Sequence, residues 1–187
     1  MHEKSLANPA PLGLMGFGMT TVLLNIHNAG FFPMDTVILA MGIFYGGLAQ
    51  IIAGIMEFRK GNTFGTTAFC SYGLFWLTLV FIVMRGDADR SFMGWYLFMW
   101  GLFTFWMWFA TFGKNRALQF VFLSLTILFW LLALGHWFEM PRFFGVLTGV
   151  EGIICGLSAV YLAAAEVLNE SRGRTILPIC PVRKVTE

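Results

Sequence analysis

Six residues able to hydrogen-bond or ionise stand inside stretches that are otherwise almost wholly apolar: Asn8, Thr21, Asn25, Gln50, Glu57 and Glu151. In apolar surroundings such groups are costly unless they meet a partner, water or a passing solute. Amides and hydroxyls offer hydrogen bonds to a small polar solute, and carboxyls add proton exchange. Phe17, Thr21 and Asn25 recur at intervals of four and would share one face of a helix. Ser124, Leu128, Leu131 and Gly135 make a second stripe of this kind. Mixed stripes suit a narrow, partly wet path. The plainer reading is that Thr21 bonds back to its own helix and Asn25 reaches an interface. Gln50 is suited to bond a carboxylate. Glu57 reads either as a proton-exchanging or cation-positioning group, or as an interfacial acid paired with Arg59 or Lys60. Glu151 lies nine residues beyond Arg142, roughly 13 Å along a helix at 1.5 Å per residue. It reads equally as a proton-coupling carboxyl and as a structural hydrogen-bonding group.

Catalytic arrangements are not legible. The sequence holds no HExxH, no GxSxG and no paired aspartates within an apolar run, and Ser158 has no His near it. An enzyme would need nucleophile, base or metal ligands gathered at one depth, so none is expected. Cys70 and Cys155 lie in apolar runs and Cys180 near the end, without metal-ligand spacing. No disulfide, metal or cofactor is expected, and no nucleic-acid partner.

The elements that must position these groups follow from composition. Hydrophobic residues make up 58% of the chain and charged residues 12%, against roughly 25% charged in a soluble domain. So few charges cannot cover a globular surface, and lipid must cover much of it. The apolar residues form long runs, and about 20 such residues span the ~30 Å hydrocarbon layer. Runs at Leu12–Ile26 (with a start as early as Pro9 open), Met34–Met56, Thr63–Met84, Phe92–Phe112, Leu118–Gly135 and Phe143–Leu168 predict an all-α integral membrane protein with six transmembrane helices. The links between them are too short for a soluble domain. Residues 1–7 would be a cytoplasmic segment, 8–169 the membrane domain, and 170–187 a basic, partly disordered cytoplasmic tail. The first run reads as a retained helix, since Asn25-Ile26-His27-Asn28 offers no small-residue cleavage site. Lys4, Arg59, Lys60, Lys114, Arg116, Arg172, Arg174, Arg183 and Lys184 would share one side, leaving Arg85, Arg90 and Arg142 on the other. That bias puts both termini in the cytoplasm.

The first helix opens as Asn8-Pro9-Ala10-Pro11-Leu12-Gly13-Leu14. Asn is a good cap, and a proline in the first turn loses no hydrogen bond. The positive dipole end therefore lies at the membrane's cytoplasmic edge, as would those of the third and fifth helices, which run the same way. This heptapeptide, NPAPLGL, resembles the signature of the acetate uptake transporter family, which includes the succinate–acetate permeases. Gly46-Gly47-Leu48-Ala49-Gln50 with Ala53-Gly54 and Glu57-Phe58 is similar to that family's second helix, and Ser71-Tyr72-Gly73-Leu74-Phe75-Trp76 to its third. Tyr96-Leu97 with Trp100 and Phe103-Thr104 resembles the fourth, and Ala159-Val160-Tyr161 with Ala165 the sixth. The resemblance covers residues 8 to 169. It implies a subunit with its own pore, a cyclic oligomer, most simply a homo-hexamer, and transport of acetate, other monocarboxylates and succinate in a bacterial inner membrane. It also implies a hydrophobic ring of Phe17, Tyr72 and Leu131. An apolar ring passes a methyl group readily and strips a hydrated anion at high cost. Tyr72 would offer its hydroxyl to the carboxylate. Anion channel and proton symport both remain open.

Gly42 with Gly46, and Gly145, Gly149, Gly152 and Gly156 on the sixth helix, read as close-packing positions. Trp95, Trp100, Trp106 and Trp108 read as an interfacial, lipid-facing belt, and His27 and His136 as outer-interface residues. A competing reading of the same six-helix build is a pore for a neutral solute such as urea or ammonia.

Overall fold

The computed structural model describes residues 6–182; Lys4, Arg183 and Lys184, counted above among the cations of one face, lie outside them. Six helical rods follow in order among the described residues: α1 Ala10–Asn28, α2 Thr36–Arg59, α3 Thr63–Arg85, α4 Arg90–Phe109, α5 Arg116–Trp137 and α6 Arg142–Arg172. Each end falls within about a turn of its apolar run. By length and composition α2, α3, α5 and α6 are able to cross a membrane. α1 and α4 have 19 and 20 residues, about 28–30 Å of helix.

Helix starts are set by short polar side chains. Asp35 accepts from the Val37 N–H at 2.8 Å, Asn62 from Gly65 at 3.1 Å, Asp89 from Phe92 at 2.8 Å and Asn115 from Leu118 at 2.7 Å. Each satisfies a backbone donor that the helix cannot. At α1 the Asn8 amide oxygen accepts from the Ala10 N–H at 3.2 Å, and Pro11 follows within the first turn.

Inside α2, residues Gly42–Ala49 wind as a π-helix. Glycines here let neighbours come close. A Cβ on Gly46 would lie 2.8 Å from the Trp76 indole, and one on Gly16 2.6 Å from the Tyr45 carbonyl oxygen. Beyond the π segment Gln50, Ala53, Gly54 and Glu57 are all buried, the one-face spacing of an α-helix.

The helices close into a ring. α1 packs along α6 and α2, α2 along α3, α6 along α5, and α5 along α4. Between α3 and α4 the contact is through aromatic rings, Phe75–Trp100 at 5.2 Å and Tyr72–Phe103 at 5.5 Å between centroids. The α1–α6 seam is the closest. A Cβ on either Gly18 or Gly156 would meet the other's carbonyl oxygen at 2.7 Å, and Gly149 and Gly152 fit against Ala29 and Asn25. Gly145, expected in the same seam, faces open space.

An apolar core is joined by buried polar side chains, and the outside is apolar as well. Thr20, Asn25, Gln50, Glu57 and Thr104 are fully buried, whereas Phe44, Phe81 and Trp106 are about two-thirds exposed on the outside. The outside is what lipid covers. Trp100, expected in the lipid-facing belt, instead packs inward against Tyr72 and Phe75.

The described part of the tail beyond α6 is held against the bundle. The Asn169 side chain accepts from the N–H groups of Ile176 and Leu177 and donates to the Leu177 carbonyl, and the Tyr161 hydroxyl donates to the Pro178 carbonyl at 2.8 Å. The N–H groups of Arg116 and Ala117 donate to the carbonyls of Cys180 and Ile179, and that of Val182 to Lys114. A segment read as partly disordered thus straps the α4–α5 loop and caps the start of α5.

Candidate functional site

Three helices turn one stripe each toward the centre of the ring. On α1 it holds Ala10, Leu14, Phe17, Leu24 and Asn28; on α3, Ala68, Tyr72, Phe75, Leu79 and Val83; on α5, Leu118, Phe122, Leu125, Leu132 and His136. Alternating steps of three and four keep such a stripe on one helical face. Between them lie three cavities, stacked from the face that carries Asn8 to the opposite one.

The middle cavity is the narrow one. It measures about 20 Å³ and is lined by Leu14, Phe17, Phe69, Tyr72, Phe122 and Leu125, with Gln50 from α2. That volume holds about one water, so a carboxylic acid enters only when these side chains part. The Phe17 and Tyr72 rings stand 6.0 Å apart, and Tyr72 and Phe122 6.1 Å. Leu131 is not with them: it is half-buried and is absent from the linings of the three cavities. Leu125, one leucine of the same apolar run, holds the α5 place. The Tyr72 hydroxyl, expected to face the solute, donates to the Thr104 hydroxyl at 3.0 Å, and Thr104 donates onward to the Trp100 carbonyl at 2.7 Å.

Polar groups flank this layer without partners among the described residues. Gln50 is 1% exposed and its Oε1 accepts no hydrogen bond; Thr21, one turn beyond Phe17, is 3% exposed with an unpartnered hydroxyl. Trp76, which lines the outer cavity, has an indole N–H with no acceptor. Buried groups of this kind are uncommon and ask for an occupant.

On the Asn8 side a polar vestibule of about 290 Å³ opens. Asn8, Asn62 and Asn115, at the starts of α1, α3 and α5, all line it, as do Glu57, Lys60, Lys114 and Glu166. Asn62 donates to Glu57 at 2.7 Å and Asn8 to Glu166 at 2.9 Å. Glu57 is therefore fully buried and bonded to Asn62, and no ion pair joins it to Arg59 or Lys60. The far cavity, about 160 Å³, is apolar and bounded by Leu24, Ile38, Trp76, Leu79, Leu97 and Leu132. His136 reaches this lining, while His27 bonds the Phe32 carbonyl outside it.

Two expected residues lie elsewhere. Asn25 turns toward α6, where Gly152 leaves room for its amide, and it donates to the Thr21 carbonyl at 2.9 Å. Glu151 accepts from Ser124 of α5 at 2.5 Å. The stripe containing Ser124 and Gly135 accordingly faces α6, where Phe144 approaches Gly135, and not the central path. Sequence reasoning had missed Leu125, Phe122, Trp76, Lys114 and Glu166 as lining residues. The recurrence Leu118, Phe122, Leu125 was available as a signal, but the α5 run is apolar on every side and supports several such stripes.

The sequence model of the GPR1/FUN34/yaaH family matches residues 1–184. Over 185 residues the chain is 59% identical to the succinate-acetate/proton symporter SatP of Escherichia coli (strain K12), covering 96% of this chain and 98% of that one. A solved structure, that of the bacterial acetate channel SatP, superposes with a TM-score of 0.90 at 58% identity, over 94% of this chain and 99% of that one. A relative from Saccharomyces cerevisiae, ammonia transport outward protein 2, is 37% identical over 177 residues, 86% of this chain and 61% of the other.

Proposed function

The chain belongs to the GPR1/FUN34/yaaH family, and from that premise we propose that it carries acetate and related short carboxylates, succinate among them, across a bacterial inner membrane. The observation that carries this reading is the stack of a polar vestibule, a one-water constriction and an apolar outer cavity along one axis. A short carboxylate matches the stack in both its halves. Its methyl or methylene part passes between Phe17, Tyr72 and Leu125, and its carboxyl group, when protonated, donates to the Gln50 amide oxygen and takes hydrogen bonds in turn from the Thr21 hydroxyl and the Trp76 indole N–H. The ring gates by excluding water, which strengthens every polar contact beside it.

All six helices cross the membrane in this reading, with both termini cytoplasmic. Among the described residues Arg59, Lys60, Lys114, Arg116, Arg172 and Arg174 belong to the Asn8 face and Arg85, Arg90 and Arg142 to the other, the bias that favours this orientation. Each subunit holds its own path, and subunits assemble as a cyclic homo-hexamer, as the family resemblance implies. The chain acts by transport and not by catalysis. Glu57 supplies a carboxyl at the vestibule, where a proton can accompany the anion. Glu151 stands off the path and holds α5 to α6 through Ser124.

The yeast relative's name favours a second reading, conduction of ammonia. Uptake of labelled acetate into liposomes holding the purified protein separates the two, with succinate, urea and methylammonium as competitors. Saturable uptake blocked by succinate and untouched by methylammonium supports the carboxylate reading. Uptake of methylammonium without acetate overturns it. An imposed proton gradient that drives acetate accumulation argues for symport, and its lack of effect for a channel.

A further inference from the structure

Among the described residues no carboxylate comes within ion-pairing distance of two ammonium groups in the vestibule, although Lys60 lies near enough to Glu166 to feel its charge. Lys60 follows α2 and its Nζ lies 3.5 Å from the Asn8 amide oxygen; Lys114, in the α4–α5 loop, places its Nζ 4.7 Å from the centre of the Phe64 ring. Neither forms an ion pair, although two carboxylates line the same cavity. Those carboxylates are bound to the wall by amides, Glu57 by Asn62 and Glu166 by Asn8. Lys114, over the Phe64 ring, and in part Lys60, beside Glu166, are thus open to an incoming anion. They come from separate elements, and the strapped tail fixes the second: the Val182 N–H donates to the Lys114 carbonyl at 2.9 Å.

The starts of α1, α3 and α5 face the same space and add positive partial charge. Below, the vestibule and the constriction share Leu14, Ala68, Phe69 and Phe122. At that floor the fully buried Gln50 presents its unpartnered amide oxygen. The path from the two lysines to the gate is therefore continuous.

We propose that Lys60 and Lys114 form the capture site for the substrate's carboxylates, and that Lys114 is the specificity residue for dicarboxylates. This rests on the carboxylate-transport reading. A monocarboxylate needs one ammonium, which Lys60 supplies beside Asn8. A dianion gains a second charge-assisted contact from Lys114 across the cavity. Lysine suits the task as a mobile point charge that adapts to acids of different length.

The test is the half-saturating concentration for labelled acetate and for labelled succinate in liposomes, for the wild type, Lys114→Met and Lys114→Arg. Lys114→Met is expected to raise the succinate value about tenfold or more and the acetate value less than about threefold, the loss of one charged contact. Lys114→Arg, which keeps the charge, is expected to restore succinate. Equal effects on both acids, no effect on either, or a succinate defect that Lys114→Arg does not repair would overturn the assignment. So would a wild type that moves acetate and not succinate. A wild type that moves neither acid removes the transport reading itself. A monodisperse elution profile in detergent separates misfolding from loss of the contact.

Discussion

Tyr72→Phe separates two roles for the tyrosine at the constriction. In the structure its hydroxyl donates to Thr104 at 3.0 Å, and Thr104 keeps its own donation to the Trp100 carbonyl. Removing the hydroxyl deletes one neutral hydrogen bond between α3 and α4, about 0.5–1.5 kcal/mol of stability. The ring that fills the path against Phe17 and Phe122 stays in place. Were the hydroxyl the donor to a substrate carboxylate, its loss would cost about 1.5–3 kcal/mol, roughly 10- to 150-fold in half-saturating concentration. The geometry predicts a change below about threefold, with a slightly lower melting temperature. The assay is the concentration dependence of labelled acetate uptake in liposomes, run beside thermal unfolding in detergent. A tenfold rise with unchanged melting would refute the placement of that hydroxyl.

Gln50→Leu removes an amide whose oxygen has no partner; it is expected to leave melting unchanged or raised and to lower acetate uptake about tenfold, one charged or neutral bond to substrate. Gly152→Ala would drive a methyl group into the Asn25 amide, and overpacking of about 1–3 kcal/mol should show as a lower melting temperature, while Gly145→Ala, a helical position in open space, should leave melting unchanged or raise it slightly. Asn169→Ala removes three hydrogen bonds that hold Ile176 and Leu177, so limited proteolysis should cut the tail sooner, and succinate transport should weaken as the Lys114 loop loosens.

Helix positions were legible because apolar length alone sets them in a membrane chain. Helix phase was legible only where a distinctive residue anchored it. Phe17 and Tyr72 sit in motifs with few alternatives, and both line the constriction. α5 reads Phe-Val-Phe-Leu-Ser-Leu-Thr-Ile-Leu-Phe-Trp-Leu-Leu, apolar but for Ser124 and Thr126, and the stripe through Ser124 favours Leu131 over Leu125 although that serine turns to Glu151 of α6. Six residues separate the two, which at 3.6 per turn places them on different faces. Asn25 misled for a related reason. Its spacing from Phe17 and Thr21 suggested the path, but the gap left by Gly152 on α6 decides where its amide turns. A glycine on another helix is invisible to periodicity within α1. The vestibule was the least legible part. Its contact between Asn8 and Glu166 joins residues 158 apart in sequence, and its lysines come from two loop-proximal positions that read as ordinary interfacial cations.

The proposed path runs where Phe17, Tyr72 and Leu125 meet. Acetate uptake by Leu125→Trp and Leu131→Trp separates the two placements, because the leucines share a helix and a chemistry but differ in facing and, by about 9 Å, in depth. Leu125→Trp places a large ring in a space of about 20 Å³ and should abolish uptake, whereas Leu131→Trp should retain most of it, both proteins eluting as the wild type does. Equal uptake by the two variants, or closure by Leu131→Trp alone, would contradict the account and move the path to another face of α5.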